Sequence, residues 1–298
     1  MITVHTIQEL RQQVKAARQA GRCIGFVPTM GNLHQGHISL IERSLADRCF
    51  TVSSIFVNPL QFNDKSDLSR YPRTLPQDQQ KLEQAGCDLL FAPNVEEMYP
   101  AGQDEQSIVH VPVVSEGLCG GSRPGHFDGV STVVSKLFNQ VLPDNAYFGE
   151  KDFQQVAVIR KMVADLCMPI NIVAVPTARA EDGLALSSRN GYLSADERII
   201  ATGLYQTLTE IAQQLQSADA VQTPLQQIIQ QAEQRLNERG FRSDYLEVRH
   251  ADNLKPLTDS ERHSGQYANA PIVVLGAAFL GSARLIDNIQ VTLNQAFE

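Results

Sequence analysis

Along roughly the first 175 residues, short aliphatic and β-branched runs alternate with longer segments of helical period. The strand-like runs are Cys23–Val27, Thr51–Val57, Asp88–Phe91, Ile108–Val111, Ala146–Phe148 and Ile170–Val175. Between them the apolar spacing predicts helices over Gln8–Ala20, Ile38–Arg48, Pro76–Ala85, Val130–Val141 and Phe153–Cys167. Gly86 stands where a C-cap is expected, and Pro169 follows the last of these helices. This alternation of strand and helix predicts parallel βαβ units, so the expected class is α/β with a Rossmann-like parallel sheet.

The pattern changes after Arg179–Asn190. Ser194-Ala195-Asp196-Glu197 reads as a capping box opening one long helix to about Gln216. Thr223-Pro224 reads as an N-cap followed by a first-turn proline, with the second helix ending near Gly240. The glutamines there read as a solvated helix face; a Gln-rich interaction tract is the other reading. Three strand-like runs close the chain: Tyr245–Arg249, Ile272–Ala277 and Arg284–Ile289. Two helices and then strands predict a smaller C-terminal α+β domain. The expected boundaries are 1–178 for the sheet domain and 179–298 for a small lid domain, with no solenoid-length repeat.

Composition narrows the function classes. The 298 residues are 43% hydrophobic and 19% charged, which describes a well-cored globular chain. With 25 Lys+Arg against 33 Asp+Glu, the formal charge of −8 argues against a nucleic-acid partner. No apolar run approaches the ~20 residues of a membrane span, and Met1–His5 does not begin a secretory signal. A cytoplasmic protein without a membrane role is expected. The five cysteines include no C-x-x-C pair, so they read as incidental thiols of a reduced protein. Cys119, in Gly117-Leu118-Cys119-Gly120-Gly121, reads as a packing residue because no base is identifiable for a nucleophile. Asn63–Asp67 reads as a solvated loop, and His110, His250 and His263 as surface or half-buried structural residues.

Candidate chemistry concentrates in Phe26-Val27-Pro28-Thr29-Met30-Gly31-Asn32-Leu33-His34-Gln35-Gly36-His37, between the first expected strand and a helix beginning near Gly36. A strand's carboxyl end feeding a helix N-terminus is where α/β proteins bind nucleotides, because unpaired amides and the helix dipole favour phosphate there. Gly31 and Gly36 permit close backbone approach. His34 and His37, three apart around a tight turn, can address one phosphate and stabilise negative charge developing on it. Two surface histidines in a glycine loop would give the same letters; a metal pair would too, although no third ligand is suitably spaced. A second constellation, Gly149-Glu150-Lys151-Asp152-Phe153-Gln154-Gln155, again lies at a strand end opening a helix. Lys151 suits a phosphate and Asp152 a ribose, or both are capping and solvated charge. A third, Leu184-Ala185-Leu186-Ser187-Ser188-Arg189-Asn190, has the hydroxyls, guanidinium and amides suited to a triphosphate, or is simply a linker.

Together the three segments resemble the H-x-G-H nucleotidyltransferase superfamily, with Ser187-Ser188-Arg189 in the place of its K-M-S-K-S loop. The likeness is closer to one family. Val27–Gly31, Phe56-Val57-Asn58-Pro59-Leu60-Gln61-Phe62, Tyr71-Pro72-Arg73-Thr74, Arg123-Pro124-Gly125-His126-Phe127, Gly149–Gln155 and Ser187–Asn190 resemble, in order, the motifs of the pantothenate synthetases, the pantoate–β-alanine ligases. Beyond residue 200 the likeness thins to fragments such as Arg284-Leu285-Ile286-Asp287-Asn288. Leu186 stands where many members carry Met.

This resemblance implies an ATP-dependent ligase that condenses pantoate with β-alanine through a pantoyl adenylate, releasing pyrophosphate and then AMP. It implies catalytic roles for His34, His37 and Lys151, with His37 as proton donor. It implies ATP contacts from Met30, Gly31, Asn32, Leu33, His34, Gln35, Gly36, His37, Gly149, Glu150, Lys151, Asp152, Ala178, Leu186, Ser187, Ser188 and Arg189. Gln61 and Gln155 would bind pantoate, and Gln61 would also meet β-alanine. A primary amide offers both donor and acceptor, so it can read hydroxyl and carboxylate without adding charge. Pro28, Met30 and Phe62 would wall the gem-dimethyl group, and Arg123 and His126 are accessory candidates. The resemblance also implies Mg²⁺, with ligands unassigned, and a homodimer. Two rivals remain open at this level: a nucleotidyltransferase that stops after adenylyl transfer onto a phosphorylated acceptor, and a catalytically silent nucleotide-binding regulator.

Overall fold

The computed structural model describes residues 1–62, 65–217, 223–263 and 270–292. The chain divides into two compact units, Met1–Glu150 with Val158–Ala178, and Lys151–Ala157 with Arg179–Glu298.

The first unit opens with β1 (Ile2–Val4), α1 (Ile7–Gln19), β2 (Ile24–Thr29), α2 (Gln35–Ala46) and β3 (Phe50–Ile55). After α3 (Lys65–Arg70), α4 (Leu75–Gln84) and β4 (Leu89–Phe91) come the short helices α5 (Val95–Met98) and α6 (Leu118–Ser122). The long α7 (His126–Val141), β5 (Asn145–Gly149), α8 (Phe153–Asp165), which belongs to this unit from Val158 onward, and β6 (Asn171–Val175) complete the sheet layer. The six strands lie in the order β1-β4-β3-β2-β5-β6, all parallel, which is the expected α/β class. β2 is flanked by β3 and β5, so the chain runs outward in opposite directions from the β2–β5 pair. That is the switch point of a doubly wound sheet, with a crevice beyond the strands' carboxyl ends.

Helices form where the apolar period demanded them. On α1 the buried residues are Leu10, Val14 and Ala17, one stripe at helical spacing. Elsewhere the local expectations need correction. Ile108–Val111 is not a strand: the Val109 N–H donates to Thr132 Oγ1 at 2.9 Å and its carbonyl accepts from Ser131 Oγ, so α7 side chains satisfy that backbone instead of a neighbouring strand. In the other direction, Ile2–Val4 is a strand, too short to show a period, held by its register with Leu89–Phe91. The expected loop over residues 63–67 is corrected in part: α3 starts at Lys65, and Asn63 and Asp64 lie outside the described residues.

The cysteines also depart from expectation. Cys23 and Cys49 are joined, with Cα atoms 4.8 Å apart, while Cys87, Cys119 and Cys167 remain thiols. The cause is register: Ile24 pairs with Phe50, so the residues immediately before β2 and β3 sit side by side. The 26-residue separation is the length of one strand–helix repeat, not a random spacing. Burial pushes the Cys87 thiol up to about 12, consistent with an inert core residue.

In the second unit, α9 (Ala195–Ile200), α10 (Gly203–Gln216), α11 (Leu225–Glu238) and α12 (Asp259–His263) accompany an antiparallel sheet. Its strands are β7 (Arg242–His250), β8 (Pro271–Leu280) and β9 (Ala283–Thr292), with β8 central. Leu204, Leu208 and Ile211 of α10 join Ile228, Ala232 and Leu236 of α11 and Val274 and Ala278 of β8 in one core. The capping box Ser194–Glu197 is present, but the helix it opens is not continuous. It breaks at Ala201–Thr202, and α10 restarts on Gly203, where a Cβ would lie 3.0 Å from the Phe241 ring. Pro224, not Thr223, is the N-cap of α11; Asp259 Oδ1 accepts the Leu225 N–H at 2.9 Å and does the capping. Among the described residues no helix is long and apolar enough to cross a membrane.

Candidate active site

Met30–His34 links β2 to α2, at the carboxyl edge where β2 and β5 lie side by side. α2 therefore presents its first-turn amides at the switch point, a place suited to an anion. His34 is the N-cap of α2, and its Nδ1 accepts the Gly36 N–H at 3.1 Å. His37 Nδ1 in turn accepts the His34 N–H at 3.3 Å, so the two imidazoles form a reciprocal capping box, their centroids 4.1 Å apart. Because each Nδ1 accepts a backbone N–H, the proton of each neutral ring sits on Nε2, which makes Nε2–H a donor. Gly36 is required by this arrangement: a Cβ there would meet His34 Cε1 at 2.9 Å. Ala178 lies against the same turn, 3.7 Å from that position.

The other loop residues divide by exposure. Met30, Asn32, His34, Gly36 and His37 are partly exposed, while Leu33 is 2% exposed in the sheet core. The Leu33 N–H donates to Asp78 Oδ1 at 2.8 Å and its carbonyl accepts from Lys81 Nζ at 2.6 Å. With side chain and both backbone groups engaged, Leu33 anchors the loop. Gln35 is exposed, and its amide donates to Glu42 at 3.5 Å.

A buried polar cluster adjoins Met30. Gln61, 7% exposed, donates through Nε2 to Met30 Sδ at 3.0 Å and accepts at Oε1 from Asn58 at 3.1 Å. Asn58 also donates to the Gly129 carbonyl at 3.0 Å and accepts the Tyr99 hydroxyl at 2.7 Å. Burial pushes the Tyr99 phenol well above its ordinary range, which keeps it a donor. The backbone carbonyl of Gln61 meets His126 Nδ1 at 2.9 Å and Arg123 at 3.5 Å. Arg123 and His126 thus belong to the same cluster as Gln61, and His126 and Asn58 are buried. Phe62 packs edge-on against Tyr71, 5.6 Å between centroids. Asn58 and Tyr99 were missed as site residues; Asn58 is visible in the sequence only as part of the Phe56–Phe62 motif.

Gly149 ends β5, and Glu150 follows at the crevice edge. Lys151, Asp152 and Gln155, all partly exposed, belong to the second unit. Lys151 Nζ lies 3.7 Å from Asp152, and its carbonyl accepts Asn288 Nδ2 at 3.1 Å. In the same unit, Leu186, Ser187, Ser188 and Arg189 run through a partly exposed turn in which Ser187 Oγ accepts the Arg189 N–H at 3.2 Å. Asn190 ties that turn to the Ala185 carbonyl at 3.0 Å. Arg179 anchors the loop base: it makes two bonds to buried Asp287, at 2.6 and 2.9 Å, donates to the Gly183 carbonyl at 3.0 Å and stacks 3.9 Å over Tyr205. Asp287 and Asn288, noticed in the sequence only as the end of a motif fragment, connect the loop base and the Lys151 backbone to β9.

Cys119 is a partly exposed thiol on α6. His110 is an exposed partner of Asp128 at 2.9 Å, whereas His250 is buried rather than superficial, with Glu261 at 3.4 Å. The His263 side chain lies outside the described residues. Among the described residues no group of three or more His, Cys, Asp or Glu side chains is arranged to hold a metal ion.

Comparison with known proteins gives the same direction along the whole chain. The family model described as pantoate-beta-alanine ligase matches residues 2–290. A pantothenate synthetase of Stutzerimonas stutzeri (strain A1501) is 59% identical over 293 residues, covering 98% of this chain and 99% of its own. One from Pseudomonas fluorescens (strain Pf0-1) is 57% identical over 294 residues, with 99% of each covered. Among solved structures, a pantothenate synthetase from Thermus thermophilus superposes with a TM-score of 0.83 at 46% identity, covering 97% of this chain and 99% of that one. A pantoate-beta-alanine ligase from Francisella tularensis, complexed with beta-gamma ATP and beta-alanine, gives 0.78 at 34% identity, with 97% of each covered. A chain that places two mutually capped histidines at the switch point of such a sheet, and matches over nearly its full length, belongs to the pantoate–β-alanine ligase family.

Proposed function

We propose that this ligase forms pantothenate in two steps on the residues described above. In the first, the pantoate carboxylate attacks the α-phosphorus of ATP and pyrophosphate leaves. In the second, the β-alanine amine attacks the acyl carbonyl of pantoyl adenylate and AMP leaves. The observation that carries the assignment is the reciprocal cap of His34 and His37, because it commits both Nδ1 atoms to backbone N–H groups and leaves protonated Nε2 as the donor for each ring.

Negative charge grows on the α-phosphate during the first step. His34 and His37 donate hydrogen bonds to it from Nε2, assisted by the N-terminus of α2. Preorganised donors act strongly here because they need not reorient as the charge develops. Met30, Gly31, Asn32, Gly36, Gly149, Glu150 and Ala178 receive the nucleotide, with Leu33 as anchor and Gln35 contributing backbone. Lys151, Asp152 and the turn Leu186–Arg189 meet the phosphates and ribose. Gln61 and Gln155 read pantoate, and Gln61 also meets β-alanine; Pro28, Met30 and Phe62 wall the gem-dimethyl group. Arg123 and His126 act through Gln61 by holding its carbonyl.

Mg²⁺ prefers several waters and substrate phosphate oxygens, with one or two carboxylates, over an all-protein cage. The described residues offer no such cage, so in this reading the ion accompanies the triphosphate and no step is assigned to it. The enzyme is a cytoplasmic homodimer in the same reading, and sedimentation equilibrium decides its assembly.

The test is pantoate-dependent exchange of labelled pyrophosphate into ATP, followed by AMP release on adding β-alanine. Exchange without pantoate, or none with it, overturns the adenylate route. AMP release with β-alanine excludes an enzyme that stops at adenylyl transfer, and turnover excludes a silent regulator.

A further inference from the structure

Asp78, in the first turns of α4, is fully buried, yet it belongs to none of the motifs that point to substrate. Burying a carboxylate costs several kcal/mol unless its oxygens are met by donors. Here three donors meet it, and they come from the loop and from the start of its own helix. Oδ2 accepts the Asn32 N–H at 2.8 Å and the Thr74 hydroxyl at 2.9 Å, and Oδ1 accepts the Leu33 N–H at 2.8 Å. One helical turn on, Lys81 donates to the Leu33 carbonyl at 2.6 Å. Residues three apart on a helix share a face, so α4 grips the Leu33 residue by its N–H and its C=O at once.

The segment held this way needs holding. Gly31 and Asn32 both have positive φ, 83° and 51°, a conformation that no helix or strand pairing maintains. A Cβ at position 31 would come within 3.1 Å of Asp78 Oδ2, so the carboxylate sits directly against the turn. The next residue after Leu33 is His34, the N-cap of α2, whose ring and backbone set the position of His37. The chain from Asp78 to the imidazoles is therefore short and continuous: carboxylate, two loop amides, N-cap, reciprocal cap.

We propose that Asp78 is a positioning residue for the adenylation step, holding residues 31–33 so that His34 and His37 meet the α-phosphate, with Lys81 as its partner on the Leu33 carbonyl. This rests on the reading that residues 30–37 receive ATP. Asn at 78 keeps the shape but offers one oxygen in place of two, setting an amide N–H₂ against a backbone N–H. The histidines then shift relative to the phosphate without any loss of a group that touches substrate. Misplacement of that kind slows a reaction that depends on fixed geometry, by up to about 10²-fold for a displacement near 1 Å.

The two half-reactions provide a readout that a merely structural role would not move. Pyrophosphate exchange reports adenylation, which makes and breaks bonds at the α-phosphorus, and β-alanine aminolysis of supplied pantoyl adenylate reports the second step, in which bonds change at the acyl carbon and none at phosphorus. Asp78→Asn is expected to lower exchange by about 10- to 100-fold while aminolysis stays within about threefold of the unaltered enzyme. Lys81→Met, at an exposed position, keeps the aliphatic stem and removes only the bond to Leu33; a loss of exchange of about three- to tenfold is expected. If Asp78→Asn does not fold, Lys81→Met decides alone. Exchange and aminolysis falling in proportion, or exchange unchanged in folded protein, overturns the proposal. His37→Ala run in parallel tests the underlying reading: if it keeps full exchange, the ATP assignment of the loop is wrong; if it loses exchange while both other variants keep it, only the role of Asp78 is wrong.

Discussion

Asn58 donates to Gln61 Oε1 at 3.1 Å while accepting the Tyr99 hydroxyl at 2.7 Å, and this pair of bonds fixes which way the Gln61 amide faces. With Oε1 taken by Asn58, the Nε2 end is the one that meets Met30 Sδ. Asn58 is 1% exposed, so its partners have no water to fall back on. Asn58→Asp keeps the shape but turns donors into acceptors facing the Gly129 carbonyl and Gln61 Oε1. Leaving such buried groups unsatisfied costs about 1–3 kcal/mol each. A raised KM for pantoate, an unmoved KM for ATP and a lowered Tm are expected. An unchanged pantoate KM in folded protein would detach Asn58 from substrate recognition.

The two histidines should separate in their effects because they do different local work. His37→Ala removes one preorganised donor and is expected to slow adenylation by roughly 10²–10³, about 2.7–4 kcal/mol. His34→Ala removes a donor and also the N-cap of α2, so it carries an added stability loss of about 1 kcal/mol. Pyrophosphate exchange and urea unfolding, measured on both variants, check the pair. Exchange within a few-fold of the unaltered enzyme in His37→Ala would remove that ring from the chemical step.

What the sequence made legible, and what it did not, follows from the range of the interactions. The order of strands and helices in the first unit came from local period, and the site loop from glycines and histidines within one turn. The 108–111 segment failed because its backbone partners, Ser131 and Thr132, lie over twenty residues away on another element. The break between α9 and α10 failed because the capping box is a local signal, while the close approach of Phe241 to Gly203 is not. Asp78 was invisible for the same reason. An acid in a polar helix reads as solvated until the loop it binds is brought onto it. Asn58 and Asp287 stood inside recognisable motifs, yet a motif does not say whether a residue touches ligand or holds one that does.

The disulfide can be counted directly. Non-reduced, denatured protein should titrate three thiols, and reduced protein five, since Cys87, Cys119 and Cys167 lie outside the bond. Closing a loop across a 26-residue separation stabilises by about 3.5 kcal/mol on the chain-entropy account. Cys49→Ser should therefore lower the urea midpoint under oxidising conditions and match the unaltered enzyme under reductant. Five thiols without reductant would rule out the bond.

Asp287 and Arg179 form a pair whose removal should be felt well beyond its own bonds. The carboxylate side chain is 4% exposed and the guanidinium 21%, so breaking the pair leaves a poorly hydrated charge. Losing one partner of such a pair costs about 3–5 kcal/mol. Asp287→Ala should destabilise the chain by that order and loosen the Arg179–Asn190 segment, read as increased amide exchange there. Replacing both, Arg179→Met with Asp287→Leu, should recover most of the stability without restoring the loop, because the Gly183 carbonyl still lacks its donor. Full recovery of loop protection in the double variant would show that the pair is not what orders it.

Near the start of the same loop, Arg198 makes two bonds to Asp182, at 2.5 and 3.1 Å, and the Leu184 N–H adds a third at 3.2 Å. These hold the Asp182 carboxyl below its ordinary range, Arg198 being the larger cause. A carboxyl whose pKa is lower folded than unfolded stabilises the fold above its unfolded pKa, and that contribution disappears as pH falls through the folded value. Arg198→Met keeps an apolar stem and removes the charge, so the Asp182 pKa should rise toward its ordinary value. The stability gap between variant and unaltered enzyme should then be open near neutral pH and close below the lowered pKa. Both groups are well exposed, so salt should shrink the gap as well. Urea unfolding across a pH series at two salt concentrations measures it. A gap that persists to the acid end would assign the contribution of Arg198 to packing of its stem instead of to its charge.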